Sequence, residues 1–126
     1  NDLERIADIY YQISKTIERK LEDRAYFLPE QRENLNILID MIDDAFKEMV
    51  NNLSAPNYDK VSKQRAVNIE NQINEFRDKL REDNLKRIGD TDYNVQSAMI
   101  YNNLFSSLEK VGDHIINVTE SVVGEI

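Results

Sequence analysis

The stretch Tyr101-Asn102-Asn103-Leu104-Phe105-Ser106-Ser107-Leu108-Glu109-Lys110-Val111-Gly112-Asp113-His114-Ile115-Ile116-Asn117-Val118-Thr119-Glu120-Ser121-Val122 decides the fold class. Its apolar residues Tyr101, Leu104, Leu108, Val111, Ile115, Val118 and Val122 follow one another at steps of three and four. That alternation places a narrow apolar seam along one face of a helix.

Three earlier segments repeat the pattern. The first carries Leu3, Ile6, Tyr10, Ile13, Ile17 and Leu21. The second carries Leu35, Leu38, Ile39, Ile42, Ala45, Phe46, Met49 and Leu53. The third carries Ala66, Ile69, Ile73, Phe76 and Leu80. No segment alternates with the period of two that a half-buried strand requires. Turn signals stand at only three places, Leu28-Pro29, Ser54-Ala55-Pro56-Asn57 and Gly89-Asp90-Thr91-Asp92. Pro29 suits the first turn of a helix, where its missing N–H costs nothing. Asn57 or Asp59 is placed to cap the third helix, and Asp90 or Thr91 the fourth. Gly89 suits the left-handed end of the third. Asn1-Asp2-Leu3-Glu4 enters the first helix with no cap in view, as in a piece cut from a longer protein. Short loops predict antiparallel neighbours. The expectation is an all-α bundle. Residues 29–126 form a three-helix unit, with helices near 29–53, 58–88 and 92–124. Residues 1–26 supply a further helix.

Composition narrows the function. The chain has 126 residues, 16 Lys and Arg against 24 Asp and Glu, and a formal net charge of −8. Such a surface repels nucleic acid and anionic membranes, and it suits cations or basic partner proteins. There is no Cys, so thiolate metal sites, disulfides and cysteine nucleophiles are excluded. One His, His114, excludes multi-histidine sites. A di-iron carboxylate enzyme needs Glu-x-x-His on two helices, yet Val111 stands three residues before His114. Ser107 and Ser121 lie seven residues either side of His114 with no nucleophile turn. The six tyrosines read as core or interface rings. No apolar run reaches the roughly 20 residues that span a bilayer. With neither a secretion signal nor disulfides, the cytoplasm is the expected compartment.

Each helix carries an acid followed, one turn later, by a second oxygen-bearing side chain. The pairs are Glu4 with Asp8, Asp40 with Asp44, Glu70 with Asn74, and Glu109 with Asp113. Residues four apart share a helix face, and like charges at that spacing cost roughly 0.2–0.5 kcal/mol. The first acid of each pair has no basic residue three or four positions away. A bound hard cation would offset the repulsion. The plainer reading is a solvated face. Composition alone predicts about four acid-x-x-x-acid pairs, and six are present, so frequency does not separate the two readings.

A repeat is more distinctive. Asp2-Leu3-Glu4-Arg5-Ile6-Ala7-Asp8 returns as Ser107-Leu108-Glu109-Lys110-Val111-Gly112-Asp113, at an offset of 105 residues. An offset this long suggests tandem three-helix units, the first helix being the last of a preceding one. Mid-helix Gly costs about 1 kcal/mol against Ala, so Gly112 calls for a reason: a closely approaching helix, an ion, or simple tight packing.

Leu108-Glu109-Lys110-Val111-Gly112-Asp113-His114, followed by Asn117 and Glu120, resembles the signature of PhoU proteins. Leu3 to Asp8 resembles the same signature from the other half of a PhoU repeat pair, and Ile69 to Leu80 resembles the family's middle helix. Tyr101 to Phe105 and Val122-Val123-Gly124-Glu125 narrow the likeness to the PhoU-like region of bacterial sodium/phosphate cotransporter-related proteins. The resemblance implies a regulator of phosphate uptake rather than an enzyme, at the inner face of the plasma membrane. Its implied partner is the transporter's membrane domain. Self-association is expected separately, because a first helix without its own unit leaves an apolar seam exposed. The resemblance also implies iron, zinc or another divalent metal held by Glu109 and Asp113, Glu4 and Asp8, and Glu70 and Asn74. Asn74 stands where the family carries Asp and is a poorer ligand. His114 matches the motif too, as a ligand, a supporting group or a packing residue. Asp40 and Asp44 match no family motif and return to a solvated face. The competing function is a metal-free helical interaction module.

Overall fold

The computed structural model describes residues 1–54, 63–90 and 93–123. Four helices follow in order: α1 Asp2–Glu22, α2 Pro29–Leu53, α3 Lys63–Arg87 and α4 Val95–Val123. No strand occurs among the described residues. The all-α expectation holds.

Cross-links fix the directions. Asp2 meets His114 and Asp23 meets Gln96, so α1 runs antiparallel to α4. Glu30 meets Arg87 and Glu48 meets Arg65, so α2 opposes α3. Arg77 meets Glu109 and Asn84 meets Ala98, so α3 opposes α4. The fourth helix packs against each of the other three. Its apolar run explains why: Ile100, Tyr101, Leu104, Phe105, Leu108, Val111, Ile115 and Ile116 are all buried. All but Ile116 meet Leu38, Ile42 and Met49 of α2 and Ile73 and Leu80 of α3 in one core. Each such burial is worth about 1.5–3 kcal/mol relative to exposure. Tyr101 stands edge-on to Phe105, with ring centroids 5.1 Å apart.

The first helix departs from its expected seam. Ile6 is buried and Ile9 and Ile13 pack against the core, whereas Leu3, Tyr10, Ile17 and Leu21 stay exposed. Tyr10 stacks on Phe46 of α2 at 6.4 Å, and the rest of that stripe faces outward. The helix is rotated so that a stripe through Ile6, Ile9 and Ile13 meets the bundle.

The caps differ from expectation in three places. Asn1 does cap α1, its Oδ1 accepting from the N–H groups of Leu3 (2.9 Å) and Glu4 (3.3 Å). α4 begins at Val95, not near 92, and Asn94 caps it by accepting from the N–H of Ser97 at 3.0 Å. Asp90 is therefore not the cap. Asn57, Asp59, Thr91, the start of α3 before Lys63, and Gly124-Glu125 lie outside the described residues. Gly89 does not take the left-handed conformation. That conformation occurs instead at Arg24, with φ of 52°. There the N–H of Ala25 reaches Lys20 O at 3.0 Å and the N–H of Arg24 reaches Leu21 O at 3.3 Å. These two bonds close a Schellman motif with arginine at the position glycine favours. Pro29 opens α2 as expected.

One end of the bundle is tied by a buried polar relay. Gln31 Oε1 accepts from the N–H of Leu28 at 2.9 Å, and its Nε2 donates to the Tyr93 hydroxyl. That hydroxyl donates to Asn84 Oδ1, and Asn84 Nδ2 donates to Ala98 O at 3.0 Å. Gln31 and Asn84 are both buried. The relay joins the start of α2, the end of α3 and the start of α4.

Candidate functional site

Gly112 of α4 packs against side chains of both α2 and α3. A Cβ built there would lie 3.3 Å from Ile73 Cδ1 and 3.4 Å from Ile42 Cδ1. Of the expected reasons, tight packing is the one these contacts match, since the nearest atoms are side-chain methyls of α2 and α3. With Gly112 wedged against α2 and α3, the residues flanking it on α4 are set beside α3.

Those residues are Glu109 and Asp113. Glu109 is buried and Asp113 half-buried. Across from them, α3 presents Glu70, Asn74 and Arg77, all half-buried. Arg77 Nη1 lies 3.2 Å from Glu109 Oε2. Arg77 Nε also reaches Asp78 Oδ1 at 2.8 Å. The basic partner that Glu109 lacks along its own helix thus comes from the neighbouring one.

Desolvation dominates the electrostatics. Burial pushes the Glu109 carboxyl above its usual range, and the charge of Asp113 adds to this while Arg77 opposes it. Asp113 is raised as well, first by burial and then by the charge of Glu70, against its hydrogen bond with Glu109 and the charge of Arg77. Glu70 is raised by burial and then by the charges of Glu120 and Glu109. Charges of four acids on two helices thus enter these shifts, and the positive charges of Arg77 and Arg81 oppose the rise at Glu109. Asn74 Oδ1, one turn beyond Glu70, is buried with no hydrogen-bond partner among the described residues. An orphaned buried oxygen is costly, about 1–3 kcal/mol.

Glu70, Asn74, Glu109 and Asp113 offer oxygen donors only, which fits a hard divalent cation better than a soft one. The orphaned Asn74 oxygen adds an acceptor that no donor among the described residues satisfies. The chemistry of the donors therefore fits a cation. Their arrangement is looser: among the described residues no group of three or more Asp, Glu or His side chains converges at metal-binding range. Glu4 and Asp8 are exposed on α1 and are not drawn into the cluster. Asp40 and Asp44 are likewise exposed.

His114 points elsewhere. Its Nδ1 lies 2.9 Å from Asp2 Oδ1, which also accepts from Asn117 Nδ2 at 3.4 Å. The histidine thus fastens the start of α1 to α4. The hydrogen bond from His114 holds the Asp2 carboxyl below its usual value. Sequence reasoning missed Arg77 and Asp2, because both act across helices. Their signal was only a helical offset: Arg77 lies seven residues, two turns, after Glu70 on the same face.

No helix among the described residues is long and apolar enough to cross a membrane. Comparison with known proteins gives one informative likeness. No family profile matches the chain, and no solved structure does. A curated relative, the phosphate-specific transport system accessory protein PhoU homolog 1 of Thermotoga maritima, is 29% identical over 125 residues. The alignment covers 98% of this chain and 51% of the relative, so the chain spans about half the relative's length. From its first helix to its last, this chain is similar to a PhoU-type accessory protein of phosphate transport.

Proposed function

We propose that this chain is a PhoU-like regulatory unit in the control of phosphate uptake, acting at the cytoplasmic face of the plasma membrane as part of a sodium/phosphate cotransporter-related protein. The observation that carries the reading is the Glu109–Asp113 pair set beside Glu70 on α3, within a chain similar to a phosphate-transport accessory protein over nearly its whole length. The unit works by binding rather than by catalysis. Its partner is the transporter's membrane domain, and the acid cluster between α3 and α4 takes a divalent metal such as iron, zinc or manganese.

A second reading is favoured by one specific contact. Arg77 already neutralises part of the cluster through Glu109. On that reading the unit is a metal-free interaction module whose acidic surface meets a basic partner.

Two measurements test these readings. Phosphate uptake is followed in bacteria lacking their own PhoU-type regulator, with and without this chain expressed. Restored restraint of uptake at high phosphate supports the regulatory role, and unchanged uptake argues against it. Elemental analysis of protein purified without chelators, beside an E109A/D113A variant, separates the metal-bound unit from the metal-free one. Metal near one atom per chain, lost in the variant, supports the first, and no metal in either supports the second.

A further inference from the structure

The bundle leaves a groove open between its first two helices. α1 and α2 both rest on α4 but scarcely touch each other. Between them lies a cleft of about 250 Å³ lined by Tyr10, Ile13, Ile39, Ile42, Phe46 and Leu108. We propose that this groove docks one amphipathic helix of a partner protein, with apolar residues at heptad spacing and lysines or arginines along its flanks. The groove is a different face from the α3–α4 acids, and the proposal holds whether or not those acids take a metal.

Three observations carry it. First, the groove has a helical period. Tyr10 of α1 stacks on Phe46 of α2 with ring centroids 6.4 Å apart. The two helices are antiparallel, as their cross-links to α3 and α4 require. Seven residues, two turns, to one side of this stack stand Leu3 and Leu53, and seven to the other stand Ile17 and Ile39. These four side chains are 45% to 54% exposed. Three apolar rungs at heptad spacing suit the a and d residues of one further helix laid along them. Second, the same stripe is covered where it recurs. In the 105-residue repeat, Leu3 and Tyr10 correspond to Leu108 and Ile115. Leu108 and Ile115 are 7% and 1% exposed among the packed helices, against 54% and 41% for Leu3 and Tyr10. Third, the rim is acidic. Glu4, Glu18 and Asp40 each follow a stripe residue, Asp43 lines the cleft itself, and all four are exposed. Lys15 pairs with Glu18 at 3.3 Å and Lys47 with Asp43 at 3.0 Å, which leaves Glu4 and Asp40 without an ion pair among the described residues. The basic Arg24 and Arg32 come seven residues past the Ile17–Ile39 rung. A rim of this sign, on a chain of net charge −8, attracts a helix with basic flanks and repels a second copy of the same face.

The test is fluorescence anisotropy with a labelled probe helix of three heptads, about 21 residues, carrying leucine at the a and d positions and lysine beside them. Two control peptides replace the lysines by glutamate or the leucines by serine. We expect saturable micromolar binding of one lysine peptide per chain, with affinity about tenfold or more lower for either control and falling as salt is raised. Ile17→Glu and Ile39→Glu, at exposed rungs, should each weaken the lysine peptide about tenfold. The E18K/D40K variant should weaken the lysine peptide and strengthen the glutamate one, a reversal that loss of folding cannot produce. No saturable binding at about 1 mM peptide overturns the proposal. Binding that ignores Ile17→Glu and Ile39→Glu places the peptide on another face and also overturns it, as does equal affinity for the lysine and glutamate peptides. Sedimentation of the chain alone completes the test. A dimer that Ile17→Glu or Ile39→Glu splits would show that a second copy fills the groove, and the proposal falls.

Discussion

The Tyr93 hydroxyl donates to Asn84 Oδ1 at 2.5 Å and at the same time accepts from the side chain of Gln31. A single phenol therefore completes the hydrogen bonding of two buried amides from two different helices. Tyr93→Phe keeps the ring and removes both bonds. Leaving two buried amide groups short of partners should cost about 2–4 kcal/mol, read as a lower midpoint in urea. A change below about 0.5 kcal/mol would mean that the relay is already hydrated and holds nothing together.

Arg24 occupies a left-handed conformation that glycine adopts without strain. Arg24→Gly should raise stability by about 0.5–1 kcal/mol, since its exposed side chain makes no ion pair among the described residues. Thermal unfolding checks this, and a drop in Tm would show that the arginine contributes more through its side chain than it loses in its backbone.

Gly112→Ala sets a helix-propensity gain of about 1 kcal/mol against a Cβ only 3.3 Å from Ile73 Cδ1. The far end of an isoleucine can yield a few tenths of an ångström. The net change should therefore be within about 1 kcal/mol of zero. Gly112→Val adds atoms that neither Ile42 nor Ile73 can accommodate, and should cost about 2–3 kcal/mol. Chemical denaturation of the two variants side by side gives the answer.

The raised carboxyls of Glu109 and Asp113 make stability depend on pH in a definite direction. The folded chain keeps their protons at pH values where the unfolded chain has released them. Their contribution is full below the usual values of 4.5 and 3.8 and is lost as pH rises through the raised folded values. Asp2 has the opposite sign: its stabilisation is present above 3.8 and disappears as pH falls. Glu109→Gln should flatten the decline in stability on the alkaline side of 4.5, measured by urea midpoints across that range. An unchanged slope would mean that the enclosed carboxyl titrates as an ordinary one.

His114→Ala removes the nearer of the two partners of Asp2, leaves Asn117 in place and does not touch the core of α2, α3 and α4. Amide exchange in the first turns of α1 should quicken by about tenfold while the amides around Phe105 and Val111 keep their protection. Uniform acceleration everywhere would show instead that α1 opens only with the whole bundle.

The helices were legible in the sequence because their signals are local. Steps of three and four, Pro29 and the scarcity of breakers each act within a turn or two. Val111 and Ile115 were readable as core for the same reason. In α1 the seam was legible at Ile6 and Ile13 but not at its edges, because Leu3, Tyr10 and Ile17 on one side and Ile9 on the other extend it equally well. Only the neighbour decides between the two edges of one seam. Arg24 defied reading because a left-handed arginine is imposed by the bonds of Ala25 and the packing behind it. In the site, the spacing of Glu109 and Asp113 gave their shared face. It could not give Arg77, whose nearness to Glu109 depends on how α3 and α4 are set against each other.

The position of α4 has a consequence for how the chain is made. Each of the other helices packs against it, and α4 is the last to be synthesised. Until its residues emerge from the ribosome, α2 and α3 can meet each other, but the faces that α1, α2 and α3 turn toward α4 stay exposed. Asp2 must wait for His114, 112 residues later. The loop-closure entropy for such a distance grows only with the logarithm of its length. Waiting is thus inexpensive thermodynamically and hazardous kinetically, since the exposed stripes of a nascent α1 and α2 are open to chaperones, proteases and each other.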